Sequence, residues 1–131
     1  MRQFVPASPF AGLLGIAIRD LADGWAELTL PYRDDLATTG DTVHGGAIAT
    51  LADTAAMAAA WSGADVPERL QGSTVSLTLQ YVKAARGVDL VARATVTRRS
   101  RRLVFLEVRV TTGGEGDGDA VAHGVATYAL G

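Results

Sequence analysis

The sequence predicts an α+β fold in which an antiparallel sheet wraps one long helix. Three observations carry that expectation. Residues 45–61 are apolar almost all round, the mark of a buried helix and not of an amphipathic surface one. Segments on both sides of it alternate apolar and polar residues with a period of two, the mark of strands. Those that follow the helix are separated only by short turns, which favours antiparallel pairing. One apolar helix and one long sheet bury each other when the sheet curls round the helix. The expected order is β-β-α-β-β-β-β, with a short turn of helix near 8–13.

From Leu13 the run LLGIAIRDLADG reads as strand, and Ala22-Asp23-Gly24 turns it into a second, in which Ala26, Leu28 and Leu30 alternate with Trp25, Glu27 and Thr29. RDDLATTGDT is a polar loop leading into the helix, and Gly63 is placed to close the helix at its far end, before the loop 62–72. In the next strand Val75, Leu77, Leu79 and Tyr81 are expected on one face, with Thr74, Ser76, Thr78 and Gln80 on the other. Val88, Leu90, Ala92, Ala94 and Val96 share a face of the following strand, and Val104, Leu106, Val108 and Val110 a face of the one after. AVAHGVATYAL closes the chain, with His123 as a structural or surface residue.

With 131 residues the chain is long enough for one domain, 1–131, with a real core, and too short for two. A net charge of −2 gives no general attraction to nucleic acid or to a membrane surface. The absence of cysteine excludes a disulfide framework, a thiol nucleophile and a thiolate metal site. The N-terminal residues MRQFVPASPFAG lack the apolar run of a secretory signal, and the apolar stretch 47–61 is too short to span a bilayer. A cytoplasmic location is expected. His44 and His123 are the only histidines, and no metal site is expected. There is no G-x-S-x-G elbow, which argues against serine hydrolase chemistry. The Gly-rich run at 113–119 looks like a single calcium-type repeat but reads as a hairpin loop.

Two features carry chemistry. Asp53 lies in the middle of the apolar helix, beyond the reach of any capping role, on one stripe with Thr50, Thr54 and Met57. It is either a tolerated polar residue at the edge of a core helix or a functional carboxylate in a partly desolvated site, suited to a general base. His44-Gly45-Gly46 opens the helix. There the free N–H groups and the positive end of the helix dipole can stabilise an oxyanion. Equally, the glycines can simply ease the loop into the helix with His44 as a cap. Gly45 and Asp53 are eight residues apart, roughly 12 Å along one helix. Groups acting on one carbon must lie within about 3–3.5 Å of it. If both are catalytic, each site joins Gly45 of one chain to Asp53 of another, and a two-fold dimer is required.

The run HGGAIATLADTAAMAAA resembles the signature of the hotdog-fold acyl-CoA thioesterases, specifically the phenylacetate-pathway type. The likeness extends over most of the chain, through the strand order, the 81–87 turn and the terminal HGVATYAL. It implies that Gly45 donates an oxyanion-hole N–H to the thioester carbonyl and that His44 orients the thioester. Asp53 of the neighbouring chain would be general base or nucleophile, and Thr74 would help place the attacking water. It further implies dimers that associate into a homotetramer. No cofactor is implied, coenzyme A being part of the substrate. The chain departs from the family pattern at Thr38, where Asn is common, at Gly40-Asp41, where the Gly is shifted by one, and at Lys83-Ala84-Ala85 in place of Arg-Pro-Ala. The cluster 98–102 reads first as a solvated hairpin turn. In hotdog proteins this turn lies near the nucleotide, so Arg99, Arg101 and Arg102 are candidates for the coenzyme A phosphates. A hydratase would carry an Asp/His pair on loop and strand instead. The rival of a different class is a non-catalytic hotdog module that only binds acyl-CoA.

Overall fold

Alanine, the strongest helix former, fills much of the segment Gly45–Trp61, which is one unbroken α-helix. The same small side chains let the sheet close tightly around it. Ala52, Ala55, Ala58, Ala59 and Ala60 are wholly buried together with Leu51. The computed structural model describes residue 5 and residues 8–64, 71–113 and 118–131. The loop expected over 62–72 and the Gly-rich run at 113–119 therefore lie partly outside the described residues.

The elements in chain order are helix α1 (Pro9–Leu14), strands β1 (Ala17–Ala22) and β2 (Trp25–Leu30), a 3-10 turn (Asp34–Leu36), β3 (Ala37–Thr39) and β4 (Thr42–Val43). After these come the long helix α2 (Gly45–Trp61), β5 (Ser73–Tyr81), β6 (Leu90–Ser100), β7 (Leu103–Thr112) and β8 (Ala120–Ala129). Six strands form one antiparallel sheet in the order β1-β2-β6-β7-β8-β5, and α2 packs across its inner face. The α+β, helix-in-sheet expectation holds. Among the described residues no helix is long and apolar enough to cross a membrane.

Four expectations need correction. Leu13 and Leu14 do not begin a strand. They end α1, which Ser8 caps at its start and Gly15 stops at φ 80°, so β1 begins only at Ala17. The polar loop before α2 contains the short hairpin β3–β4, too brief to show a period of two. It is held by Val43 N–H to Ala85 O and Gly87 N–H to Asp41 O. The far end of α2 is closed by Ser62, whose Oγ donates to Ala59 O at 2.6 Å, and Gly63 follows at φ 74°.

The fourth correction concerns strand faces. Val104, Leu106, Val108 and Val110 on β7 and Leu90, Ala92 and Ala94 on β6 are buried, as alternation requires. Thr74, however, does not share the outward face with Ser76. A β-bulge at Val75 sets Thr74 opposite buried Tyr128 and Ser76 opposite Thr127. The extra residue turns Thr74 inward alongside Leu77, and Val75 itself is left 60% exposed. A second bulge, between Val96 and Arg98 on β6, likewise turns Arg99 onto the inner face, opposite buried Val104.

Candidate active site

On α2 the stripe Thr50, Asp53, Thr54 and Met57 is only half-buried, and the rest of the helix from Ala47 to Trp61, apart from Ala49, is buried. These residues floor a groove of about 490 Å³ whose walls come from α1 and the start of β5. Among the described residues Asp53 is the one carboxylate in it. Thr74, brought inward by the bulge, donates its hydroxyl to Asp53 Oδ1 at 2.6 Å. That bond leaves Oδ2 without a partner among the described residues. Tyr128 lines the same groove. Burial pushes its phenol above the ordinary tyrosine range, the hydrogen bond from Trp61 opposes this, and the negative charge of Asp53 adds to the rise.

At the N-terminus of α2, His44 is the cap. Its Nδ1 accepts from Gly46 N–H at 2.7 Å, which leaves the ring proton of neutral His44 on Nε2. The main chain here is pinned by His44 N–H to Leu36 O at 2.8 Å, so the 3-10 turn fixes where the helix starts. Gly46 must be glycine for this cap, because a Cβ there would lie 2.9 Å from His44 Nδ1. The Gly45 N–H has no partner among the described residues, as befits the first residue of a helix. Tyr81, at the far end of β5, donates its hydroxyl to Gly45 O at 3.0 Å, with its ring against Gly45. The sequence had offered a signal for Tyr81, which shares a face with Leu77 and Leu79 at the strand end, but it did not suggest a partner.

Within one chain, then, the expected residues fall into two groups and not one. Asp53 and Thr74 meet at the start of β5, and Gly45, next to the His44 cap, meets Tyr81 at its end. The continuity of α2 from Gly45 to Asp53 keeps the groups apart. The basic cluster is a hairpin turn, with Arg101 at φ 53°. Arg99 donates to Ala60 O at 2.8 Å and Ser62 O at 2.6 Å, closing the negative end of α2. Arg102 donates to Gly131 O at 2.7 Å. A second hollow, of about 570 Å³ and lined by Arg93, Arg109 and His123, lies on the outer face, and the sheet separates it from Asp53.

A carboxylate held by a hydroxyl and a helix-terminal amide free to receive negative charge are the equipment of acyl transfer to water. Comparison with known proteins gives the family. The Thioesterase superfamily model matches residues 40–118. An inferred esterase of Halobacterium salinarum is 34% identical over 115 residues, covering 86% of this chain and 76% of that protein. Among solved structures, a thioesterase family protein from Silicibacter pomeroyi is 27% identical with a TM-score of 0.87, covering 99% of this chain and 96% of that one. Zebra fish thioesterase superfamily member 2 is 29% identical, TM-score 0.82, covering 99% and 95%. A mutant of the phenylacetic acid degradation protein PaaI from Thermus thermophilus is 28% identical, TM-score 0.79, covering 93% and 98%. The chain belongs to the thioesterase superfamily and has its hotdog fold.

Proposed function

We propose that the protein hydrolyses acyl-CoA thioesters at sites shared between two chains. The observation that carries this is Asp53, a carboxylate on a core helix, held by Thr74 at 2.6 Å in an open groove. Asp53 either takes a proton from the attacking water or attacks the carbonyl itself. The thioester oxygen gathers negative charge against the Gly45 N–H of the partner, and the His44 Nε2–H orients the thioester from the same helix start. The carbon–sulfur bond then breaks, and coenzyme A leaves as the thiolate and takes up a proton. Where Asp53 is the base the free acid remains, and where it attacks, water cleaves the mixed anhydride it forms, releasing the acid and restoring the carboxylate. No cofactor takes part. Of the three arginines put forward for the coenzyme A phosphates, Arg101 is the one whose guanidinium has no partner among the described residues, since Arg99 and Arg102 are engaged with their own chain.

The need for a dimer has support in β5. It is an edge strand of nine residues, with Val75 and Tyr81 more than half exposed, as is Val82 just beyond it. An edge of this kind pairs readily with a second strand. Antiparallel pairing of two β5 strands about a two-fold axis at Thr78, with Val75 bulged out in each, sets Thr74 across from the partner's Tyr81. Thr74 holds Asp53 and Tyr81 touches Gly45, so this register unites the two half-sites. Further association of dimers into a tetramer, and a cytoplasmic location, belong to the same reading.

The test is thiol release from aryl- and fatty-acyl-CoA esters by wild type, Asp53→Asn and Asp53→Ala. Loss of about 10²-fold or more is expected for a missing base or nucleophile. Full activity in either variant would sink the role of Asp53. No release from any ester by the wild type would favour an acyl-CoA-binding module. An active monomer, by size in solution, would contradict the shared site.

A further inference from the structure

One peptide at the start of α2 is bonded at both of its ends by side chains. Gly45 O accepts the Tyr81 hydroxyl at 3.0 Å, and the N–H of the same peptide, that of Gly46, donates to His44 Nδ1 at 2.7 Å. The peptide lies between two glycines, so the torsions that turn it, ψ of Gly45 and φ of Gly46, meet no Cβ. It also sits in the first turn, where helices fray. The helix bonds Gly45 O from inside that turn, and Tyr81 holds it from outside. Hydrogen bonds in a chain polarise one another, so a donor on the carbonyl makes the N–H at the other end a stronger donor. The bond made by one ring nitrogen of a histidine decides which nitrogen carries the proton. The neighbouring peptide, which carries the Gly45 N–H, is held separately. Its carbonyl, His44 O, accepts from Ala47 and Ile48 N–H at 2.9 and 3.2 Å.

We propose that Tyr81 is a positioning residue: through the 45–46 peptide it holds His44 in the orientation and tautomer that present Nε2–H to the thioester. The inference rests on the thioesterase reading, in which His44 orients the substrate. Tyr81 touches none of the reacting atoms in this role, and its effect on turnover passes through His44.

The first test is nitrogen NMR of the two histidine rings, His44 and His123, in wild type and Tyr81→Phe, at a pH where both are neutral. The substitution keeps the ring against Gly45 and removes only the hydroxyl. The ratio of the Nε2–H to the Nδ1–H tautomer of His44 should fall at least about twofold. His123, on the outer face of β8, should keep its signals and so report an intact fold. Unchanged His44 signals overturn the proposal. The second test is steady-state kinetics on one acyl-CoA ester. Tyr81→Phe should lower kcat about fivefold, the worth of one neutral hydrogen bond, with KM within about twofold. In a His44→Asn background, which retains a capping side chain, the same substitution should change kcat by less than about twofold. An equal loss in both backgrounds, or a loss in neither, overturns the proposal. Absence of cleavage by the wild type would overturn the thioesterase reading separately, and the nitrogen signals would still decide whether Tyr81 holds His44.

Discussion

Thr74 reaches Asp53 from a different element, 21 residues on, and donates a 2.6 Å hydrogen bond to a carboxylate that the helix alone could not hold. The bond fixes the carboxylate rotamer and directs Oδ2 into the groove. Removing it frees the carboxylate to swing. A hydrogen bond to a charged group contributes about 1.5–3 kcal/mol. Thr74→Val is expected to lower kcat by about tenfold or more with KM little changed, and Thr74→Ser to keep most of the rate. Steady-state kinetics on one acyl-CoA ester checks both, and an unaltered kcat in Thr74→Val would remove the hydroxyl from the mechanism.

The two glycines that open α2 should respond differently to the same substitution. A Cβ on Gly45 meets Tyr81 at 3.6 Å, an ordinary contact, whereas one on Gly46 meets His44 Nδ1 at 2.9 Å and displaces the cap. Both gain helix propensity, up to about 1 kcal/mol. Only Gly46→Ala loses a cap, typically about 1 kcal/mol. Urea unfolding should therefore find Gly46→Ala less stable than Gly45→Ala by about 1 kcal/mol.

The arginines of the β6–β7 turn divide by task. Arg99→Ala removes two hydrogen bonds from the C-terminal carbonyls of α2 and is expected to cost about 1–2 kcal/mol of stability, read by urea unfolding. Arg101→Ala should leave stability unchanged and raise KM for acyl-CoA about fivefold, the worth of one exposed ion pair. An N-acetylcysteamine thioester, which has no phosphate, should show no such rise. An equal rise on both substrates would count against a phosphate contact.

Alkaline pH should weaken the fold through Tyr128. Burial raises its phenol above the ordinary 10.0, so between that value and its folded one the native chain binds more protons than the unfolded chain. Its contribution is complete below pH 10.0 and falls as pH rises through the folded value. Tyr128→Phe should flatten the decline of Tm above about pH 10. Below it the variant should melt lower than wild type, because Trp61 Nε1 loses its 3.2 Å acceptor.

Much of the fold was readable because its signals are local. A helix of 17 residues broken only by Thr50, Asp53 and Thr54 among apolar and small residues is not a surface helix, and Asp53 stood out in it by contrast alone. The inward faces of β6 and β7 followed from alternation at Leu90, Ala92, Ala94, Val104 and Leu106. The inward turns of Thr74 and Arg99 did not follow, since each depends on an inserted residue that breaks the period. The cap made by His44 was one of two readings open at the start. The tie from Tyr81 to Gly45 spans 36 residues and depends on how the sheet curves, which no window of sequence contains.

The bulge at Val75 is a matter of parity. Thr74 and Ser76 are two residues apart and would share a face in a regular strand, yet Thr74 reaches Asp53 while Ser76 is exposed. Removing Val75 would make the two direct neighbours opposite Tyr128 and Thr127, and regular alternation would still turn Thr74 inward. Straightening the strand with Val75 retained would instead carry the hydroxyl away from Asp53. The bulge lets a chain with one residue too many for its register keep that hydroxyl on the carboxylate, a tolerance of length and not a demand on it.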